Sequence, residues 1–72
     1  MNPAARKQEI MHILQRQETV QVVELARLLD VSKVTVRNDL DELENKGLLM
    51  RTYGGAVLPE KRGTERFISN TM

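Results

Sequence analysis

Apolar residues recur along this chain at helical spacing three times and then shift to an extended pattern. In the first stretch Ile10, Ile13 and Leu14 share one face, while Arg6, Lys7 and Glu9 occupy others. Asn2 is a favoured N-cap and Pro3 tolerates the first helical turn, so a helix is predicted over about residues 3–17. Thr19-Val20-Gln21-Val22 is short and β-branched, enough for a bridge-length strand or an extended entry. Val22, Leu25, Ala26 and Leu29 then fall at i, i+3, i+4 and i+7, which predicts a second helix over about 22–29. Asp30-Val31 makes a tight connection, and Ser32 is a favoured N-cap for a third helix running to about Lys46. Val36, Leu40 and Leu43 form its inward stripe. Gly47 suits a left-handed C-cap, and Lys46 suits the negative end of the helix dipole.

After Gly47 the period changes. "LLMRTYGGAVL" reads as a β-hairpin whose tip holds Tyr53, Gly54 and Gly55. The expected fold is therefore mainly α with a small β-hairpin: helix, helix-turn-helix and wing, a winged helix-turn-helix in residues 1–58. From Pro59 onwards "PEKRGTERFISNTM" is charged and broken by Gly63. Residues 59–72 read as a linker towards a C-terminal effector domain that this sequence lacks.

Composition narrows the classes without choosing one. Seventy-two residues make one domain with a small core, of the kind that rarely supplies more than about 3–5 kcal/mol. The absence of cysteine excludes a disulfide framework and a thiolate zinc site, and fits a cytoplasmic protein. No apolar run approaches the roughly 18 residues of a membrane span, and no signal-peptide pattern opens the chain. The net charge is only +1 and the pI about 8.2. A strongly basic nucleic-acid binder often exceeds a pI of about 9, so a case for DNA rests on where the charges sit.

They sit unevenly on the third helix. Its first two turns carry Lys33, Val34, Thr35, Arg37 and Asn38, whereas Asp39, Asp41, Glu42 and Glu44 come later. With Val36, Leu40 and Leu43 inward, Val34, Asn38, Asp41 and Asn45 point outward, with Thr35 and Arg37 on the shoulders. A recognition helix enters the major groove N-terminus first, so only those first turns would meet DNA. Thr35, Arg37, Asn38 and Val34 would then read bases, Val34 suiting a thymine methyl and Asn38 an adenine edge. Ser32, Lys33, Arg51, Arg6 and Lys7 would hold phosphates, and Tyr53, Gly54 and Gly55 would form the wing's contact. Glycine permits positive φ and close backbone approach, so replacing both glycines is expected to weaken DNA binding and spare the helices. Asp39 is expected to pair with a neighbouring arginine. The bland alternatives are a capped, solvated helix face for residues 32–38, a plain turn at Gly54-Gly55 and a solvated charge pair at Lys61-Arg62. Enzyme readings are poor. His12 is the single histidine, and no nucleophile–base pair, phosphate loop or metal spacing surrounds it, so no catalytic residue, cofactor or metal is expected.

"VVELARLLDVSKVTVRNDLDELENKGLLMRTYGGAVL" resembles the N-terminal winged helix of the DeoR family of bacterial transcription regulators. The family pattern is an E-L-A helix, a turn, V-S-x-x-T-[IV]-R-x-D-L, then L-x-x-x-G, then a basic residue before H-G-G-A. Glu24-Leu25-Ala26, Val31-Ser32, Thr35-Val36-Arg37, Asp39-Leu40, Leu43, Gly47, Arg51 and Gly54-Gly55-Ala56 match it. Tyr53 stands where the family usually has histidine, which removes an imidazole contact from the wing. Asn38 stands where a second arginine is frequent, which points towards adenine.

The resemblance implies sequence-specific binding of double-stranded operator DNA, as an inverted repeat, by the N-terminal module of a repressor of a sugar-catabolism operon. It implies a cytoplasmic, nucleoid-associated protein whose full-length form is a homo-oligomer. The sugar-phosphate effector would act only through the C-terminal domain, so these residues alone are expected to bind one half-site and to offer no ligand cavity. The rival classes are a winged helix used only for protein–protein contact, and an RNA binder. RNA fits poorly, because A-form major grooves exclude a helix and only Tyr53 and Phe67 offer stacking faces.

Overall fold

Asn2 starts the first helix by accepting a hydrogen bond from the Ala5 N–H on its side-chain oxygen at 2.7 Å, with Pro3 filling the first turn. The structure, a computed structural model, describes residues 2–59. Among these the elements run α1 (Pro3–Gln17), β1 (Thr19–Gln21), α2 (Val22–Leu29), α3 (Lys33–Asn45), β2 (Met50–Thr52) and β3 (Gly55–Val57). The linker read from residue 60 onwards, with Lys61, Arg62 and Phe67, lies outside the described residues.

Each junction follows from local chemistry. Helix α1 closes on Glu18, which takes a left-handed conformation and returns its N–H to the Leu14 carbonyl. Asp30 does the same after α2, at φ 58°, and turns the chain towards Ser32 within two residues. Aspartate tolerates this conformation better than most side chains. Ser32 caps α3, its Oγ accepting from the Thr35 N–H at 3.1 Å. Gly47, at φ 79°, ends α3, with the Leu48 N–H reaching back to the Leu43 carbonyl at 3.0 Å.

The hairpin is part of a larger sheet. The strand order is β1-β3-β2, antiparallel throughout, with Val20 opposite Ala56 on one side and Arg51 opposite Ala56 on the other. The wing is thus clamped by the segment between the first two helices. Gly55 makes this possible: a Cβ there would lie 1.9 Å from the Val20 carbonyl oxygen. That glycine is buried and serves packing, so the expectation that both tip glycines can be replaced with the helices spared is corrected at Gly55.

The core is the apolar set the periodicity predicts, closed by the sheet. Ile10 and Leu14 of α1, Val22 and Leu25 of α2, and Val36, Leu40 and Leu43 of α3 are buried together with Val20, Leu49 and Ala56. Ile13, Ala26 and Leu29 are half-buried against them. At 25 cal/mol or so per Å² of apolar area removed from water, this cluster is the main favourable term of a small domain. Asp39, 3% exposed, is the one buried charged residue among those described.

A candidate nucleic-acid interface on the third helix

The first turns of α3 are presented by their cap. Ser32 Oγ also donates to Thr35 Oγ1 at 3.0 Å, which ties the two hydroxyls together at the positive end of the helix dipole. Lys33, Val34, Arg37 and Asn38 are exposed around them, Val34 at 61%. Neither Lys33 nor Arg37 has an ion partner among the described residues. Two cations and an amide therefore stand open on one short surface. Such a surface can neutralise phosphates and pair with base edges.

The acidic turns of the same helix are engaged. Asp39 takes both of its oxygens to Arg6 of α1, Oδ2 from Nε and Oδ1 from Nη2 at 3.0 Å. The expected arginine pairing of Asp39 is thereby found, with Arg6 as the partner. The hydrogen bond to Asp39 raises the Arg6 pKa above its ordinary value, against the lowering effect of burial. Lys7 reaches Glu42 at 3.2 Å and Asp39 at 4.0 Å. The expectation that Arg6 and Lys7 hold phosphates thus meets a different arrangement, in which both bind carboxylates of α3.

On the other flank Asp41 accepts from Arg51 Nη1 at 2.5 Å, and Glu44 Oε2 accepts from the Arg51 backbone N–H at 2.9 Å. Arg51 Nε also donates to the Gly55 carbonyl at 3.1 Å, so its guanidinium is committed before any phosphate arrives. The wing tip is open: Tyr53 is fully exposed beside Gly54, whose φ is 83°. The Gly54 carbonyl accepts from the Val22 N–H at 2.8 Å, which fastens the tip to the start of α2. His12 is exposed on α1, and no cluster that could hold a metal exists among the described residues.

One expectation fails here. An open groove of about 540 Å³ lies between the start of α1 and the end of α3, lined by Pro3, Ala4, Lys7, Gln8, Met11, Leu43, Lys46 and Leu48. Leu48, in its lining, is 44% exposed.

The sequence matches the model of the DeoR-like helix-turn-helix domain over residues 6–62. The chain belongs to the DeoR family. Its DeoR-like domain implies DNA as a partner, and the geometry above shows a helix-turn-helix whose second helix leaves its first turns exposed. Among relatives, it is 47% identical over 58 residues to the HTH-type transcriptional regulator GolR of Listeria innocua, covering 81% of this chain and 23% of the relative. It is 42% identical over 67 residues to the lactose phosphotransferase system repressor of Lactococcus lactis, covering 92% and 26%. It is 48% identical over 52 residues to the L-fucose operon activator of Haemophilus influenzae, covering 72% and 21%. The chain thus spans about a quarter of the length of these relatives. No solved structure matches it significantly. No helix among the described residues is long and apolar enough to cross a membrane.

Proposed function

We propose that this DeoR-family chain is the sequence-reading module of a bacterial transcriptional repressor, one that governs a sugar-catabolism operon. The observation that carries the reading is the division of α3. Its first two turns leave Lys33 and Arg37 without ion partners among the described residues, while Asp39, Asp41, Glu42 and Glu44 each bind a group on α1 or β2. The groove-facing end therefore keeps its cations, and the acidic end carries its bonds away from that surface. Thr35, Arg37, Asn38 and Val34 meet base edges, Ser32 and Lys33 meet phosphates, and Tyr53 at the wing tip contacts the backbone alongside. The sugar-operon assignment is supported by relatives named for lactose and L-fucose systems. Repression is favoured by the lactose repressors, although the fucose relative is named an activator. In the longer protein the effector would be a sugar phosphate held by another domain, and oligomerisation would present two copies of α3 to an inverted repeat.

The test is a duplex enriched by the chain from random double-stranded DNA, titrated at several salt concentrations. Binding should fall steeply with salt, because phosphate contacts release counterions. Arg37→Ala should lose about 1–3 kcal/mol on the enriched duplex and much less on random DNA. An equal loss on both would move Arg37 from bases to phosphate. Failure to enrich any sequence would favour the rival role in protein–protein contact.

A further inference from the structure

Each of the four carboxylates of α3 is engaged by a partner, Asp39 buried and the other three at the surface. Asp39 and Glu42 lie one turn apart on one flank of the stripe formed by Val36, Leu40 and Leu43, and both bind α1. Asp41 and Glu44 lie one turn apart on the opposite flank, and both bind Arg51 of β2. Among the described residues strand β2 is an edge of the sheet, so the N–H of Arg51 has no strand partner there on its outer side. Glu44 satisfies it. The Arg51 guanidinium meanwhile bridges Asp41 and the Gly55 carbonyl, joining α3, β2 and β3 through one side chain that is 22% exposed.

Asp41 also stands four residues after Arg37, the spacing at which helical ion pairs form. In the structure its carboxylate binds Arg51 instead, and Arg37 remains without a partner among the described residues. We propose that Asp41 and Glu44 are positioning residues for DNA binding: through Arg51 they fix the wing at its distance from the recognition helix, while Arg51, by holding Asp41, leaves Arg37 available for a base. The inference rests on the DNA-reading role proposed above. It assigns Arg51 to the wing's scaffold and takes it out of the set of phosphate ligands.

The consequence has an unusual sign. Removing a negative charge near DNA ordinarily strengthens binding, because repulsion of phosphate falls. Here Asp41→Asn and Glu44→Gln should each weaken binding to the enriched duplex about three- to fivefold, the size of a lost exposed ion pair. The salt slope should stay unchanged, since no phosphate contact is lost. Asp41→Glu, which keeps the carboxylate, should restore affinity to within about twofold of the parent. Arg51→Lys, which keeps the charge but cannot bridge Asp41 and Gly55 together, should weaken binding as Asp41→Asn does. Thermal melts of each variant separate wing displacement from unfolding, and Arg51→Lys serves where a neutralised variant melts early. Tighter or unchanged binding by both Asp41→Asn and Glu44→Gln overturns the proposal. So does an Arg51→Lys variant with parental affinity. If the parent chain enriches no duplex, the DNA-reading role itself falls; if it does and the neutral variants bind as well, the positioning role alone falls.

Discussion

Gly55→Ala should unfold the domain, whereas Gly54→Ala, one residue away, should only soften it. At Gly55 an added Cβ would lie 1.9 Å from the Val20 carbonyl oxygen and 3.2 Å from the Gln21 Cα, all of it backbone. An ordinary carbon–oxygen contact is about 3.3 Å, so β1 and β3 must part by roughly 1.4 Å. A ladder hydrogen bond of about 2.9 Å stretched that far no longer bonds. The β1–β3 pairing consists of three residue pairs, from Thr19–Val57 to Gln21–Gly55, and Val20 carries core packing with it. Losing two or three bonds at about 1 kcal/mol each gives about 3 kcal/mol before any packing is counted. A core of this size supplies little more than that. At Gly54 the new methyl would meet only Gln21 Oε1 at 3.6 Å, and the cost is that of an L-residue at φ 83°, about 1–2 kcal/mol. In thermal melts followed by circular dichroism, about 1 kcal/mol corresponds to roughly 4–8 °C in a domain of this length. The melting temperature of Gly54→Ala should therefore fall by roughly 4–16 °C, and Gly55→Ala should show little cooperative transition at all. A Gly55→Ala variant that melts within about 5 °C of the parent, or above Gly54→Ala, would refute the close approach of the two strands.

Leu40 is fully buried beneath α3, so Leu40→Ala should cost about 2–5 kcal/mol through the cavity it leaves, measurable by urea titration. A loss below about 1 kcal/mol would contradict its place in the core. Asn38→Ala should keep affinity for random duplexes and relax the preference at one A·T position, because asparagine pairs with adenine N6 and N7. Selection from random DNA reads this directly, and an unchanged base profile would remove Asn38 from the reading set.

The helices were legible because each carries its own punctuation. Asn2-Pro3, Ser32 and Gly47 bound apolar stripes at helical period, and the ends they predict agree with the structure to within a residue. Local signals suffice for local hydrogen bonds. Strand β1 was not legible as a sheet member. Thr19–Gln21 is three residues with one buried position, and its partner lies more than thirty residues away. Nothing in so short a segment names the strand it joins. The same holds at the interface. The open residues Lys33, Val34, Arg37 and Asn38 could be placed from helical phase alone. That Arg6 is the arginine held by Asp39, and that Arg51 is held by Asp41 and Glu44, depends on how α1 and β2 dock. The i, i+3 spacing of 39 with 42 and of 41 with 44 puts the carboxylates on two flanks of the helix, and says nothing of what each binds.

The strand order has a consequence for synthesis on the ribosome. A nascent chain that has emerged as far as Gly47 already contains α1, α2 and α3, the helix-turn-helix included. It still lacks Leu49 and Ala56 from the core, and Val20 has no strand to lie against. Helices this short are marginal on their own in water. The helix-turn-helix must therefore wait, incompletely packed, until β3 has followed it out of the exit tunnel. Among the described residues β3 is the last strand to emerge, so the packing that seats α3 is complete only once the wing exists.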